Sequence, residues 1–155
     1  MAFSIELTED DISEDLRKLA ENSEDVLEDA LEAAATAMAA LGQRAFDEPG
    51  LRPAPWPALS ADYGESRKKK VKAKNKNAKV QLLIDSGTLY QGVQAQGAVF
   101  GATAPYAAAH QFGYDDHGLP ARPYLPITED GESLTDEANQ EVIEIIEESF
   151  EGITD

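Results

Sequence analysis

The chain has 155 residues, 42% of them hydrophobic, and carries 30 Asp and Glu against 13 Lys and Arg, for a formal net charge of −17. That length points to one domain able to bury a core, and the acidity excludes a globally basic DNA-coating protein. There is no cysteine, which excludes disulfide frameworks, thiolate zinc sites and cysteine nucleophiles.

The first residues, Met1 to Asp11, lack the basic start and apolar stretch of a secretory signal. The longest low-polarity run, Ala33 to Gly42, is too short and alanine-rich to span a bilayer, so a soluble, cytoplasmically made protein is expected. Thr8-Glu9-Asp10-Asp11 has the form of a capping box, with acids placed against the positive end of a helix dipole. Apolar positions follow at Ile12, Leu16 and Leu19, then at Leu27, Leu31, Ala34, Met38 and Leu41, a 4-3-4-3 stripe. Glu14, Asp15, Glu21, Glu24, Asp25, Glu28, Asp29 and Glu32 occupy the other face. Unbroken from Glu9 to Asp47, this helix would be roughly 58 Å long at 1.5 Å per residue. A compact monomer of this size has a radius of gyration of about 15 Å. Either Asn22-Ser23 breaks the helix or part of it packs on a neighbour.

Between Asp47 and Leu59, four prolines and a glycine end the helix and force an extended crossing. Trp56 is the only tryptophan, and it reads either as an anchor at the rim of the core or as part of a binding surface. The window from Arg67 to Lys79 then holds eight of the 13 basic residues and no acid: Arg67, Lys68, Lys69, Lys70, Lys72, Lys74, Lys76 and Lys79. The other 142 residues carry 5 basic and 30 acidic groups, a formal −25. Repulsion among eight cations predicts a mobile, exposed loop. Its readings are contact with nucleic-acid phosphates, docking on an acidic surface such as another copy of the chain, or plain solvation.

Val80 to Ile84 is apolar and reads as a strand, Asp85-Ser86-Gly87 as a turn, and Gly92 to Gly101 as a hairpin pivoting near Gln96-Gly97. Thr103-Ala104-Pro105 leads into a short helix, Tyr106 to Phe112, closed by Gly113. Pro120 to Leu125 is expected to be extended, and Ser133-Leu134-Thr135-Asp136 is a second capping box. It opens a final helix with Leu134, Ala138, Val142, Ile145, Ile146 and Phe150 at helical spacing.

The sum is an α+β fold: a long N-terminal helix, a small antiparallel sheet with a mobile basic loop, a short helix and a C-terminal helix. It is one domain, 1–155, divided into a helical arm (8–47), a proline-rich crossing (48–66), the basic loop (67–79), a sheet region (80–128) and a terminal helix (133–151).

Chemistry is sparse. His110, Asp115, Asp116 and His117 offer two imidazoles and two carboxylates, but not at a helical metal-ligand spacing, and a glycine intervenes. No phosphate loop, nucleophile elbow or paired-acid constellation is present, so neither an enzyme nor a cofactor or metal is expected.

Arg44-Ala-Phe46, Pro49-Gly50, Trp56-Pro-Ala-Leu59, the Lys-rich stretch, Leu83-Ile-Asp85-Ser-Gly87-Thr-Leu89, Tyr106-Ala107, His110-Gln111-Phe112-Gly113 and Pro120-Ala-Arg122-Pro123-Tyr124-Leu125 occur in this order. In that succession the chain resembles the tailed-phage virion morphogenesis family, which includes the Mu-like protein G and the tail completion protein S group. The resemblance runs from about residue 25 to 150. The chain differs from the usual pattern at Tyr90-Gln-Gly92 and in the density of its basic run.

The resemblance implies a non-enzymatic structural protein of the virion, in the neck or at the head-proximal end of the tail, assembled in the host cytoplasm and acting as a ring of six. Its expected partners are other copies of itself and the tail tube protein or head-tail connector proteins, with possible contact to packaged DNA and none to membrane. The eight basic residues of the window, with Arg122, are the candidate interface groups. Arg122, between two prolines, is suited to tie the sheet to a nearby carboxylate or carbonyl, and a salt bridge within the chain and one between subunits are both open. Trp56, Gly87, Leu89, Tyr106, His110, Gln111, Phe112, Gly113, Pro120, Arg122 and Pro123 are the motif residues, for which a structural role within the fold suffices.

Overall fold

The computed structural model describes residues 9–76 and 81–151, with side chains of the first helix described from Asn22 onward. The proposed cap at Thr8, the side chains of Ile12, Leu16 and Leu19, the acids from Glu14 to Glu21, Lys79 and Val80 lie outside the described residues. The element order is α1 (Glu9–Arg44), α2 (Ala61–Lys74), α3 (Thr88–Gly92), β1 (Val93–Gln96), β2 (Val99–Ala102), α4 (Ala107–Phe112) and α5 (Asp136–Glu151). Short 3-10 turns occupy Pro49–Leu51 and Asp115–His117. This is the mixed α+β arrangement that the periodicities predict.

Asn22-Ser23 does not interrupt α1, which runs unbroken for 36 residues, about 54 Å at the α-helical rise. Of the predicted stripe, Ala34 and Met38 are buried, but Leu27 and Leu31 are not, and the buried line runs instead through the neighbouring alanines. Ala30, Ala34, Ala35, Met38 and Ala39 are buried, whereas Leu27 and Leu31 stay 41% and 37% exposed. The reason is close approach: small side chains let α5 and the hairpin β1–β2 pack against α1, and larger residues are displaced to the edge of the contact. Gly42 continues this logic, since a Cβ there would lie 3.1 Å from Leu125 Cδ2 and 3.2 Å from Val93 Cγ1.

Beyond Arg44 the chain turns, and Arg52 holds the turn by donating from Nε to Ala45 O (2.7 Å) and from Nη2 to Phe46 O (3.0 Å). These carbonyls lie just past the helix end, where acceptors lack intrahelical partners. The core then gathers around Phe46, whose ring meets Trp56, Tyr90 and Tyr124 at centroid distances of 5.8, 5.6 and 5.1 Å. Leu89, Val93, Ala104, Ala107 and Leu125 complete it. Trp56 is therefore an anchor at the rim of the core: its Nε1 donates to Pro123 O at 2.6 Å and its ring face carries the Arg52 guanidinium at 3.7 Å.

The hairpin forms where expected, antiparallel from Val93↔Ala102 to Gln96↔Val99, with Gly97 at positive φ in the turn. It is the whole sheet among the described residues. Of the predicted strand Val80 to Ile84, the described residues 81–84 are not a strand: they have no pairing partner among the described residues, and Leu83 takes a left-handed φ of 62°. Leu83 and Ile84 instead turn their side chains against the core from irregular backbone.

The larger correction concerns the basic loop. Residues 67 to 74 are the second half of helix α2. Lys, Arg and Ala are good helix formers, and Lys72 and Lys74 sit in the last turn, where cations are favoured by the helix dipole. Lys68 also pairs with Glu65 one turn back at 3.0 Å. Repulsion among the lysines is thus offset locally, and Arg67 is anchored from outside the helix.

At the other end, α5 begins at Asp136, not at Ser133. The Ala138 N–H donates to Thr135 Oγ1 at 3.4 Å, so Thr135 acts as the cap. Leu134 stays outside the helix and bridges to Ile127.

Candidate functional site

The motif residues converge on one structure at the end of α4. Gly113 closes this helix with φ 81° and ψ 173°, a region open essentially to glycine alone. The chain reverses through Asp115–His117, and Tyr114 and Leu119 exchange backbone hydrogen bonds at 2.8 and 3.1 Å. This brings residues 120–125 back along α4, where the Arg122 N–H donates to His110 O at 2.7 Å. Gln111 then clamps the returning strand-like segment. Its Oε1 accepts from the N–H groups of Tyr124 and Leu125, both at 3.0 Å, and its Nε2 donates to Leu125 O at 3.3 Å. A buried side-chain amide thus takes the place of a paired strand. Tyr124 Oη donates to Ala107 O at 3.2 Å, and burial pushes this phenol up to about 12.

Arg122 lies under the proline-rich crossing. It is 5% exposed, and its Nε and Nη2 donate to Pro57 O (3.0 Å) and Ala58 O (3.3 Å). No salt bridge within the chain forms among the described residues, and the guanidinium binds carbonyls instead. Arg67, 8% exposed, is the anchor of α2, bonded to Asp85 Oδ1 and Ile84 O. This bond, together with Lys74 and Lys70 nearby, holds the Asp85 carboxyl below its ordinary range. Lys68, Lys69, Lys70, Lys72, Lys74 and Lys76 remain exposed along α2 and just beyond it.

Arg67 and Arg122 flank a cleft of about 470 Å³ between α2 and α4. Tyr63, Leu83, Leu119, Tyr106, His110 and Gly87 are among the residues that line it. The His110 ring stands edge-on to Tyr106 at 5.7 Å, and its Nδ1 is buried without a partner. Burial first, and the nearby Arg122 charge second, lower the His110 pKa from its ordinary 6.5. A histidine with a depressed folded-state pKa contributes stability that is full above 6.5 and lost as pH falls through the depressed value. Chemical denaturation between pH 7.5 and 5 should therefore show falling stability that the His110→Gln variant largely lacks.

Sequence reasoning singled out Arg67, Arg122, Tyr106, His110 and Gly87 but not their convergence, and it missed Tyr63 and Leu119. Asp85 was legible as a partner, being the first carboxylate after the basic run. The structure does not bring His110 together with Asp115, Asp116 and His117 as a ligand set. Among the described residues no group of three or more His, Asp or Glu is placed to hold a metal, and His117 packs on Tyr114 at 4.6 Å. No described helix is long and apolar enough to cross a membrane.

The arrangement is an apolar cleft flanked by Arg67 and Arg122 and bordered by a lysine-studded helix on an otherwise acidic body. Neither the curated proteins nor the solved structures give a match to the chain. The family model described as the phage virion morphogenesis family matches residues 8–151, nearly the whole length. The chain therefore belongs to the phage virion morphogenesis family, a structural family of bacteriophage virions.

Proposed function

We propose that this protein is a tail completion, terminator or neck protein that joins tail to head as a ring of six subunits, with no catalytic step. Its neighbours would be the tail tube protein or the head-tail connector proteins. Family membership supports the virion role, and the resemblance noted above supports the station and the number six. The observation that carries assembly is the segregation of charge onto different elements. Exposed lysines line α2, whereas Glu24, Asp25, Glu28, Asp29 and Glu32 line α1 and Glu137, Glu144, Glu147, Glu148 and Glu151 line α5. Opposite charges on separate faces favour head-to-tail contacts, the kind that close into rings.

Native mass measurement and negative-stain imaging of the purified protein and of virions test this directly. A protein that stays monomeric and is missing from virions would refute it. Replacing Lys69, Lys72 and Lys76 by Gln should weaken assembly roughly threefold to a hundredfold at low salt, since exposed pairs contribute about 0.2–1 kcal/mol each. The difference should shrink at high salt, where the attraction is already screened.

The same exposed lysine row favours a second reading, contact with packaged DNA. A salt titration with duplex DNA decides it, because these substitutions would then flatten the slope of log affinity against log salt.

A further inference from the structure

The cleft and α1 present complementary chemistry. In the cleft, the Arg122 guanidinium is buried and has no acid partner among the described residues. Its Nε and Nη2 bind carbonyls, and its Nη1 is left open to a further acceptor. A buried cation bonded only to neutral groups is poorly compensated, and a carboxylate is the group that matches its planar donor edge. The buried Nδ1 of His110 lies beside it, unpartnered. Tyr63 and Tyr106, both large and exposed, form the apolar rim.

On α1, Leu27 and Leu31 are exposed on one face at a four-residue spacing, with Glu24 and Glu28 beside them on the same face. Within the chain α1 packs mainly on α5 and the hairpin, while Leu27 and Leu31 stay exposed. The cleft offers Arg122 and aromatic rings, and the ridge offers carboxylates and leucines.

We propose that the cleft receives the Glu24–Leu31 ridge of a second copy of this chain. The two leucines lie against Tyr63 and Tyr106, and one ridge carboxylate reaches the open edge of Arg122. The proposal rests on the ring reading above and names the two surfaces that meet. The lysines of α2 border the cleft and guide the acidic helix toward it.

The absence of cysteine makes the test direct. Ser86→Cys places a thiol on the cleft wall and Glu24→Cys places one at the end of the ridge. Mixing the two variants under assembly conditions and adding a short bismaleimide should give a covalent heterodimer in high yield. Leu27→Asp combined with Glu28→Lys, both at exposed positions, should abolish that product and lower association at least tenfold while leaving the thermal midpoint of the monomer in place. Rings seen by negative stain with no Ser86-to-Glu24 cross-link would overturn this pairing and leave the ring reading standing. A monomer at every salt concentration would overturn both.

Discussion

Replacing Gln111 by alanine will destabilise the protein by about 2–6 kcal/mol, a large part of the roughly 5–15 kcal/mol that holds a domain folded. The side chain accepts from the backbone N–H groups of Tyr124 and Leu125 and donates to Leu125 O, all in buried surroundings. Alanine removes three hydrogen bonds and leaves the N–H groups of Tyr124 and Leu125 without partners, each costing about 1–3 kcal/mol when water cannot reach it, while Leu125 O keeps the Ile127 N–H at 2.8 Å. The measurement is the urea midpoint, which should fall sharply with little change in slope. Gln111→Glu is the informative companion. An ionised carboxylate keeps both acceptor contacts but turns a lone pair toward Leu125 O, whereas a protonated one offers that carbonyl a donor. The Glu variant should therefore lose less stability relative to wild type at pH 4 than at pH 7. A variant equally stable at both would mean that the Nε2–Leu125 bond contributes nothing.

Such a clamp shows where sequence reading succeeds and where it stops. Helices α1 and α5 and the β1–β2 hairpin were legible because their apolar spacing and turn glycine are local signals. The basic segment was misread because repulsion was weighed without the helix propensity of Lys and Ala, and because the partner that fixes Arg67 lies 18 residues away at Asp85. Val80 to Ile84 has strand-like composition, yet a strand requires a partner, and none is offered among the described residues. On α1 the spacing gave the helix correctly but not which of two adjacent apolar lines is buried. The alanine line won because it allows closer packing, which left Leu27 and Leu31 for another use.

The candidate site was legible only as separate residues. The motifs named His110, Gln111, Gly113 and Arg122. The cleft itself arises from the reversal at Gly113 and from the docking of α2 through Arg67, neither of which is written in any local pattern.

That reversal is the second place where one atom matters, and two glycines at the same φ make the comparison. Gly113 and Gly87 both have φ 81°, but ψ is 173° at Gly113 and −3° at Gly87. Gly87 lies in the left-handed helical region, where an added Cβ finds only the flexible end of Gln91 at 3.5 Å. Alanine there should cost about 1–2 kcal/mol. At Gly113 the backbone region is essentially glycine-only, and the new Cβ would lie 3.0 Å from Ala121 N and 3.1 Å from Leu119 O. These are backbone atoms that cannot rotate away. Strain and crowding together should cost about 3–5 kcal/mol. Thermal melts of Gly113→Ala and Gly87→Ala side by side test the difference, and equal losses would refute the assigned conformation at Gly113. The consequence extends beyond stability, because the same turn sets Arg122 N–H on His110 O and so carries the guanidinium into the cleft. Gly113→Ala that is still folded at low temperature should therefore assemble less well than Gly87→Ala at matched folded fraction.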